Sequence, residues 1–166
     1  MTAIDTFVTQ YQTMVTMRDG MLAGLSDAEG YWQPNPEVPP ICWHVAHVAR
    51  VNVGVLLGAG KGVTDLLPAS WNEHFSMGGK MPLPITRLPA LSSVVPELAK
   101  VDAAVLAYAR TLRPEQLGEV LPFRKPGMPE FLKTFADALG RLPIHCAHHH
   151  GEVMLLRRLQ GKPNLR

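Results

Sequence analysis

Apolar residues recur at three- and four-residue spacing through Ile4, Phe7, Val8, Tyr11, Val15, Met21, Leu22 and Leu25, the period of one helix face. The pattern predicts a first helix from Thr2 that stops near Gly24, with Ser26-Asp27 opening a turn. The stretch Trp32-Gln33-Pro34-Asn35-Pro36-Glu37-Val38-Pro39-Pro40 carries too many prolines for regular structure and reads as a rigid irregular connection. Pro40 suits the first turn of a second helix, in which Ile41, His44, Val48, Val51 and Val55 mark one side and His47 borders it. Gly58-Ala59-Gly60 ends that helix. Valine is a weak helix former, but the absence of strict alternation favours helix over strand.

Between residues 61 and 88, prolines at 68, 82 and 84 and the Gly78-Gly79 pair interrupt any period. So long a connection either covers a pocket or crosses over with Trp71 and Phe75 as its anchors. A third helix follows from Leu91 to Leu112, with Leu91, Val94, Val95, Leu98, Val101, Val105, Leu106 and Tyr108 as its stripe, and Arg113-Pro114-Glu115 breaks it. A short connection through Leu117, Val120, Leu121 and Phe123 leads to Lys125-Pro126-Gly127. A fourth helix is predicted from near Pro129 to Leu159, kinked at Pro143. Four amphipathic helices with one long connection predict an all-α fold, a four-helix bundle forming a single domain over residues 1–166.

Composition narrows the function classes. Hydrophobic content of 46% against 18% charged residues suits one globular core, and no stretch is apolar for long enough to span a bilayer. A net charge of +2 with no basic run beyond Arg157-Arg158 excludes an electrostatic footprint for nucleic acid. Arg157, Arg158, Lys162 and Arg166 suit a helix carboxyl end instead. The start of the chain has no basic region followed by an apolar core, so a cytoplasmic protein is expected. Cys42 and Cys146 are too few for a disulfide framework and read as small buried residues.

The chemistry concentrates in histidine. Six of the seven histidines fall in two clusters, Trp43-His44-Val45-Ala46-His47 and His145-Cys146-Ala147-His148-His149-His150, both on predicted helices. His145 and His149, four apart and in line with Leu142 and Leu156, share the inward face, where two unpartnered imidazoles cost free energy unless a metal occupies the space. His148 can also neighbour His145, whereas His150, rotated about 140° from His145, is expected to face outward or pack at the rim. The second helix supplies a third ligand, either His44 or His47, which spacing does not separate. Three imidazoles suit zinc, nickel, copper or ferrous iron and leave coordination positions open, the condition for catalysis. The chain lacks a His-Glu-x-x-His pair, a phosphate-binding glycine loop, a dinucleotide fingerprint and a Gly-x-Ser-x-Gly elbow. Glu152 could accept a hydrogen bond from a ligating imidazole, add a ligand, or be a solvated or capping residue.

At these residues the chain resembles the DinB superfamily, also called YfiT-like. The segment from Leu25-Ser26-Asp27-Ala28-Glu29 to Trp32, the proline-rich turn and Ile41-Cys42-Trp43-His44-Val45-Ala46-His47-Val48-Ala49 look like its first loop and second helix. His145-Cys146-Ala147-His148-His149-His150-Gly151-Glu152 resembles its His-x-x-x-His-x-Gly-Gln pattern, with Glu152 in place of the usual glutamine. The resemblance implies an up-up-down-down bundle with a long crossover between helices 2 and 3, often dimeric, and it implies His47, His145 and His149 as the metal ligands. Characterised relatives include thiol-dependent transferases and isomerases that use bacillithiol or mycothiol, and the iron-binding domain of ergothioneine-forming sulfoxide synthases.

The expected protein thus binds a divalent zinc, nickel or iron ion at an open tris-histidine site and acts through a metal-bound low-molecular-weight thiol, as a thiol S-transferase or with hydrolase-like activity. Its expected partners are a small-molecule substrate or thiol and a second copy of itself, with His44, His148, Glu152 and Trp71 bordering the pocket. The alternative is a non-catalytic metal-binding stress or interaction protein in which the ion ties the helices together.

Overall fold

The computed structural model describes residues 1–58, 60, 66–75, 84–122 and 132–163. The sequence readings at Ala59, Gly78-Gly79, Pro82, Phe123, Lys125-Pro126-Gly127, Pro129 and Arg166 lie outside them. Among the described residues the chain is helical, with no strand and a single isolated bridge between Val120 and Thr134.

Helix α1 (Ala3–Leu22) starts at a capping box: Thr2 Oγ1 accepts from the Asp5 N–H, and the Asp5 carboxylate accepts from the Thr2 N–H. Gly24, at φ 72°, turns the chain away from it. The predicted turn at Ser26-Asp27 is instead the start of a short helix, α2 (Asp27–Tyr31), because Ser26 and Glu29 form a second capping box. Helix α3 (Ile41–Gly58) begins directly after Pro40, whose carbonyl accepts from Trp43 and His44. The expected one-sided stripe is too narrow for it, since every residue from Ile41 to Ala49 is buried. Helices α2 and α4 (Trp71–His74) both pack on it, so its outer face is covered as well.

The long connection also contains a 3₁₀ turn, Ile85–Arg87, ahead of α5 (Leu91–Ala109). After α5 the Arg113-Pro114-Glu115 break leads into a second 3₁₀ turn, Pro114–Gly118. The last helix, α6 (Phe135–Leu159), starts later than expected. Lys133 and Phe135 are hydrogen-bonded to Leu121 and Glu119, which holds residues 132–134 out of the helix until Thr134 and Asp137 cap it. Pro143 lies inside α6 and removes one donor from its ladder.

Helix α3 packs against α5 and α6, and α1 against both as well. At one end, Arg157 near the end of α6 donates to the Met21 carbonyl near the end of α1 at 2.5 Å, and Gln160 reaches the Glu29 carbonyl. At the same end Asp27 accepts from Ser92, and Tyr31 donates to the Leu88 carbonyl, beside the start of α5. The carboxyl ends of α1 and α6 therefore meet. That corrects the expected up-up-down-down order, in which they would finish at opposite ends. Helix α3 runs antiparallel to α6, His44 facing His149 while His47 faces His145. Chain leaving α3 must therefore return along the molecule before α5 begins, which accounts for the long crossover. No described helix is long and apolar enough to cross a membrane.

Contact between α2 and α5 is close enough to test. A Cβ at buried Gly30 would sit 2.9 Å from the Leu91 Cβ, whereas one at Gly140 on α6 would meet nothing within 4 Å. Gly30→Ala should destabilise by about 1–3 kcal/mol, while Gly140→Ala should be neutral or stabilise by up to about 1 kcal/mol. Urea denaturation midpoints check both; equal effects would contradict this packing.

Candidate metal centre

His145 and His149 stand one turn apart on α6, and His47 faces them from α3. Their Nε2 atoms converge: His145 lies 3.2 Å from His47 and 3.1 Å from His149. Potential ligand atoms of the three residues lie within 4.8 Å of one another, and all three side chains are buried. An ion held about 2.0–2.1 Å from imidazole nitrogens at tetrahedral or octahedral angles sets those nitrogens about 2.9–3.4 Å apart. The two separations from His145 fit that spacing. The donor set suits a borderline divalent transition metal rather than calcium or magnesium, which take oxygen ligands.

The outer nitrogens define which atoms face inward. His47 Nδ1 lies 2.9 Å from the Phe75 carbonyl, a pure acceptor, so Nδ1 carries the proton and the Nε2 lone pair is left for the centre. Phe75 is in place because it closes α4, its N–H bonded to the Trp71 carbonyl at 3.0 Å. His149 Nδ1 lies 2.9 Å from His44 Nδ1. With His149 Nε2 turned inward, its Nδ1–H donates and His44 accepts, in the place a carboxylate or carbonyl usually takes. His145 Nδ1 is buried without a hydrogen-bond partner among the described residues. The Trp43 indole stacks on the His47 ring, 4.7 Å between centroids and 8° from parallel, and fixes its plane.

Burial keeps these imidazoles neutral. It pushes His149 down to about 2, His145 to about 3 and His44 to about 4, with neighbouring histidines adding to the effect. His47 is also lowered by burial, opposed by its bond to Phe75. Neutral imidazole is the metal-binding form. Burial pushes both Cys42 and Cys146 up to about 12, so neither offers a thiolate near neutral pH.

The other expected site residues scatter. His44 is buried behind His149, and exposed His148 meets the His149 ring edge-on at 4.9 Å. Glu152 is half-buried and, among the described residues, bonds to none of the three histidines. Trp71 is buried on α4 and touches Phe75 edge-on, so it reaches the centre only through its neighbour. His150 corrects the outward expectation: it is buried and faces Arg18 and Asp19 of α1. The turn that carries it away from the centre carries it into the contact between α6 and α1.

A second polar cluster escaped the sequence reading. Asp102 of α5 accepts from Tyr11 at 2.7 Å and from Arg18 at 2.5 Å, and Asn52 of α3 donates to the Tyr11 hydroxyl at 2.7 Å. All four are buried. The available signal was Arg18 and Asp102, opposite charges standing on the apolar faces of two predicted helices.

A helical scaffold that buries three converging imidazoles defines a class of candidate metalloproteins. Residues 10–153 match the family model of the DinB superfamily, and the chain belongs to that superfamily. No curated protein matches it. The crystal structure of the conserved protein of a locus from Enterococcus faecalis superposes with a TM-score of 0.73, over 98% of this chain and 99% of that one. At 18% identity that likeness shows a shared fold.

The lowered histidines link stability to pH. Each binds its proton more weakly in the folded chain than the usual value of 6.5, so the unfolded chain takes up the excess protons as pH falls. Their contribution is complete above about pH 6.5 and shrinks as pH falls toward the folded values near 4 and below. Chelator-treated protein should lose stability between pH 7 and pH 5 with an uptake of at least about two protons on unfolding. Urea titrations that gave a flat profile over that range would contradict the assigned burial.

Proposed function

We propose that His47, His145 and His149 hold one divalent zinc, nickel or iron ion, and that the protein is a metal-dependent enzyme acting through a low-molecular-weight thiol, of the thiol S-transferase kind. The observation that carries this is the convergence of three Nε2 atoms, two of them on rings whose Nδ1 is already engaged. When bound with coordination positions open to small molecules, such an ion acidifies a thiol enough to hold it as thiolate near neutral pH.

The chain's own residues have defined tasks in this reading. Phe75 and His44 set the tautomers of His47 and His149, Trp43 holds the His47 ring, and the buried walls exclude water. Neither cysteine can serve as the nucleophile at neutral pH, so the thiol comes from outside. We assign the scaffold as a four-helix bundle of α1, α3, α5 and α6 in up-down-down-up order, which the meeting of helix ends supports. The proposed setting is cytoplasmic and homodimeric. Exposed Met17 on α1 and Ile144, Leu155 and Leu159 on α6 support pairing, and a monomer in sedimentation at micromolar concentration would contradict it.

The burial of all three histidines also favours a second reading, a non-catalytic ion that ties α3 to α6. Metal-loaded protein mixed with a low-molecular-weight thiol and an electrophilic acceptor should turn over, and His149→Ala should reduce the rate to background. A melting temperature that collapses on chelation, with no turnover by the loaded protein, would favour the structural ion instead.

A further inference from the structure

A cavity of about 400 Å³ opens between α4 and the 3₁₀ turn at Ile85–Arg87, a volume within the range of small-molecule sites. Its floor is apolar, made by the buried side chains of Trp71, Phe75 and Leu88. Its rim is a set of hydrogen-bond donors: the Ser70 and Thr86 hydroxyls, the His74 imidazole and the Arg87 guanidinium. Among the described residues none of these four groups has a hydrogen bond or ion pair. Among the described residues no carboxylate lines the cavity.

The walls are anchored independently of any occupant. Arg87 and Leu88 are fixed by backbone bonds to Pro84 and Ile85, and the Leu88 carbonyl accepts from Tyr31 of α2. Trp71 and Phe75 meet edge to face at 5.4 Å, with the Trp71 N–H bonded to the Pro68 carbonyl. The cavity is distinct from the three-histidine centre, none of whose residues lines it, although Phe75 belongs to both places. Its side chain forms the floor while its carbonyl holds His47.

An aromatic floor beneath uncommitted donors, one of them a permanent cation, selects a flat apolar body bearing an anionic group. We propose that this cavity is a binding site for a small aryl anion, a carboxylate or a phosphate monoester, with its ring against Trp71 and Phe75 and its charge on Arg87. Serine, threonine and histidine at the rim complete the anion's hydrogen bonds. The site does not depend on the metal reading.

Titration calorimetry of the full-length protein with benzoate, phenyl phosphate and benzyl alcohol tests this. Saturable binding of at least one anion is expected, with benzyl alcohol at least about tenfold weaker, and the two anions separate the carboxylate from the phosphate form. Arg87→Gln, a change at an exposed side chain, should weaken the anion by about tenfold or more. His149→Ala should leave its affinity within about twofold, so this result stands apart from any failure of metal binding. Absence of saturable anion binding, equal binding of benzyl alcohol, or unchanged affinity in Arg87→Gln would overturn the proposal.

Discussion

Three imidazole nitrogens converging inside the protein set the constraint on which the rest of the site depends, and they form an arrangement that could hold a metal ion. Each nitrogen has been removed from water, and the His47 and His149 rings cannot satisfy each other, because a ring whose Nδ1 carries the proton presents only an acceptor at Nε2. His47 is such a ring, fixed by Phe75, and His149 is another once His44 accepts from it. A shared cation would resolve all three at once, and the separations of 3.1 and 3.2 Å from His145 match the spacing it would impose. The rest of the architecture follows from keeping this cluster dry and aligned.

Alignment needs α3 held in the bundle, and a buried polar network ties it to α1 and α5. Arg18, Asp102, Tyr11 and Asn52 join α1, α5 and α3 through bonds that a one-turn slip of any of these three would break. Burial raises the Asp102 carboxyl above its usual value, opposed by Arg18 and Tyr11. Such a network contributes little net stability compared with apolar packing, but it discriminates strongly against wrong registers. Dryness comes from the covering elements. Helix α4, from the connection between α3 and α5, packs on α3, so residues 41–49 of α3 are buried all round and the Phe75 carbonyl at the end of α4 reaches His47.

The elements and the inward position of His145 and His149 were largely legible in the sequence because both follow helical period. His145 and His149 fall on the inward stripe with Leu142 and Leu156, and the helix spans of α1, α3 and α5 follow their apolar spacing. The choice of His47 over His44 was not legible from spacing, since both lie on buried turns of α3; family resemblance pointed to His47, and the structure places it beside His145. The missed features depend on tertiary contact. The chain's path between α3 and α5, the Phe75 carbonyl and the covered outer face of α3 leave no periodic trace. For His150, rotation away from the centre left facing outward or packing at the rim open, and burial against α1 excludes the outward placement. The α2 capping box was present as Ser26-x-x-Glu29, but five residues are too few to register as a period.

We take the nitrogens of His47, His145 and His149 to be the protein's ligands to one ion. X-ray absorption at the zinc edge of stoichiometrically loaded protein tests it most directly. One zinc per chain is expected, with a shell of three imidazole nitrogens at about 2.0–2.1 Å, no sulfur contributed by the chain, and loss of that shell in His149→Ala. A sulfur shell at about 2.3 Å from Cys42 or Cys146, or a chain that takes up no stoichiometric zinc, would contradict it.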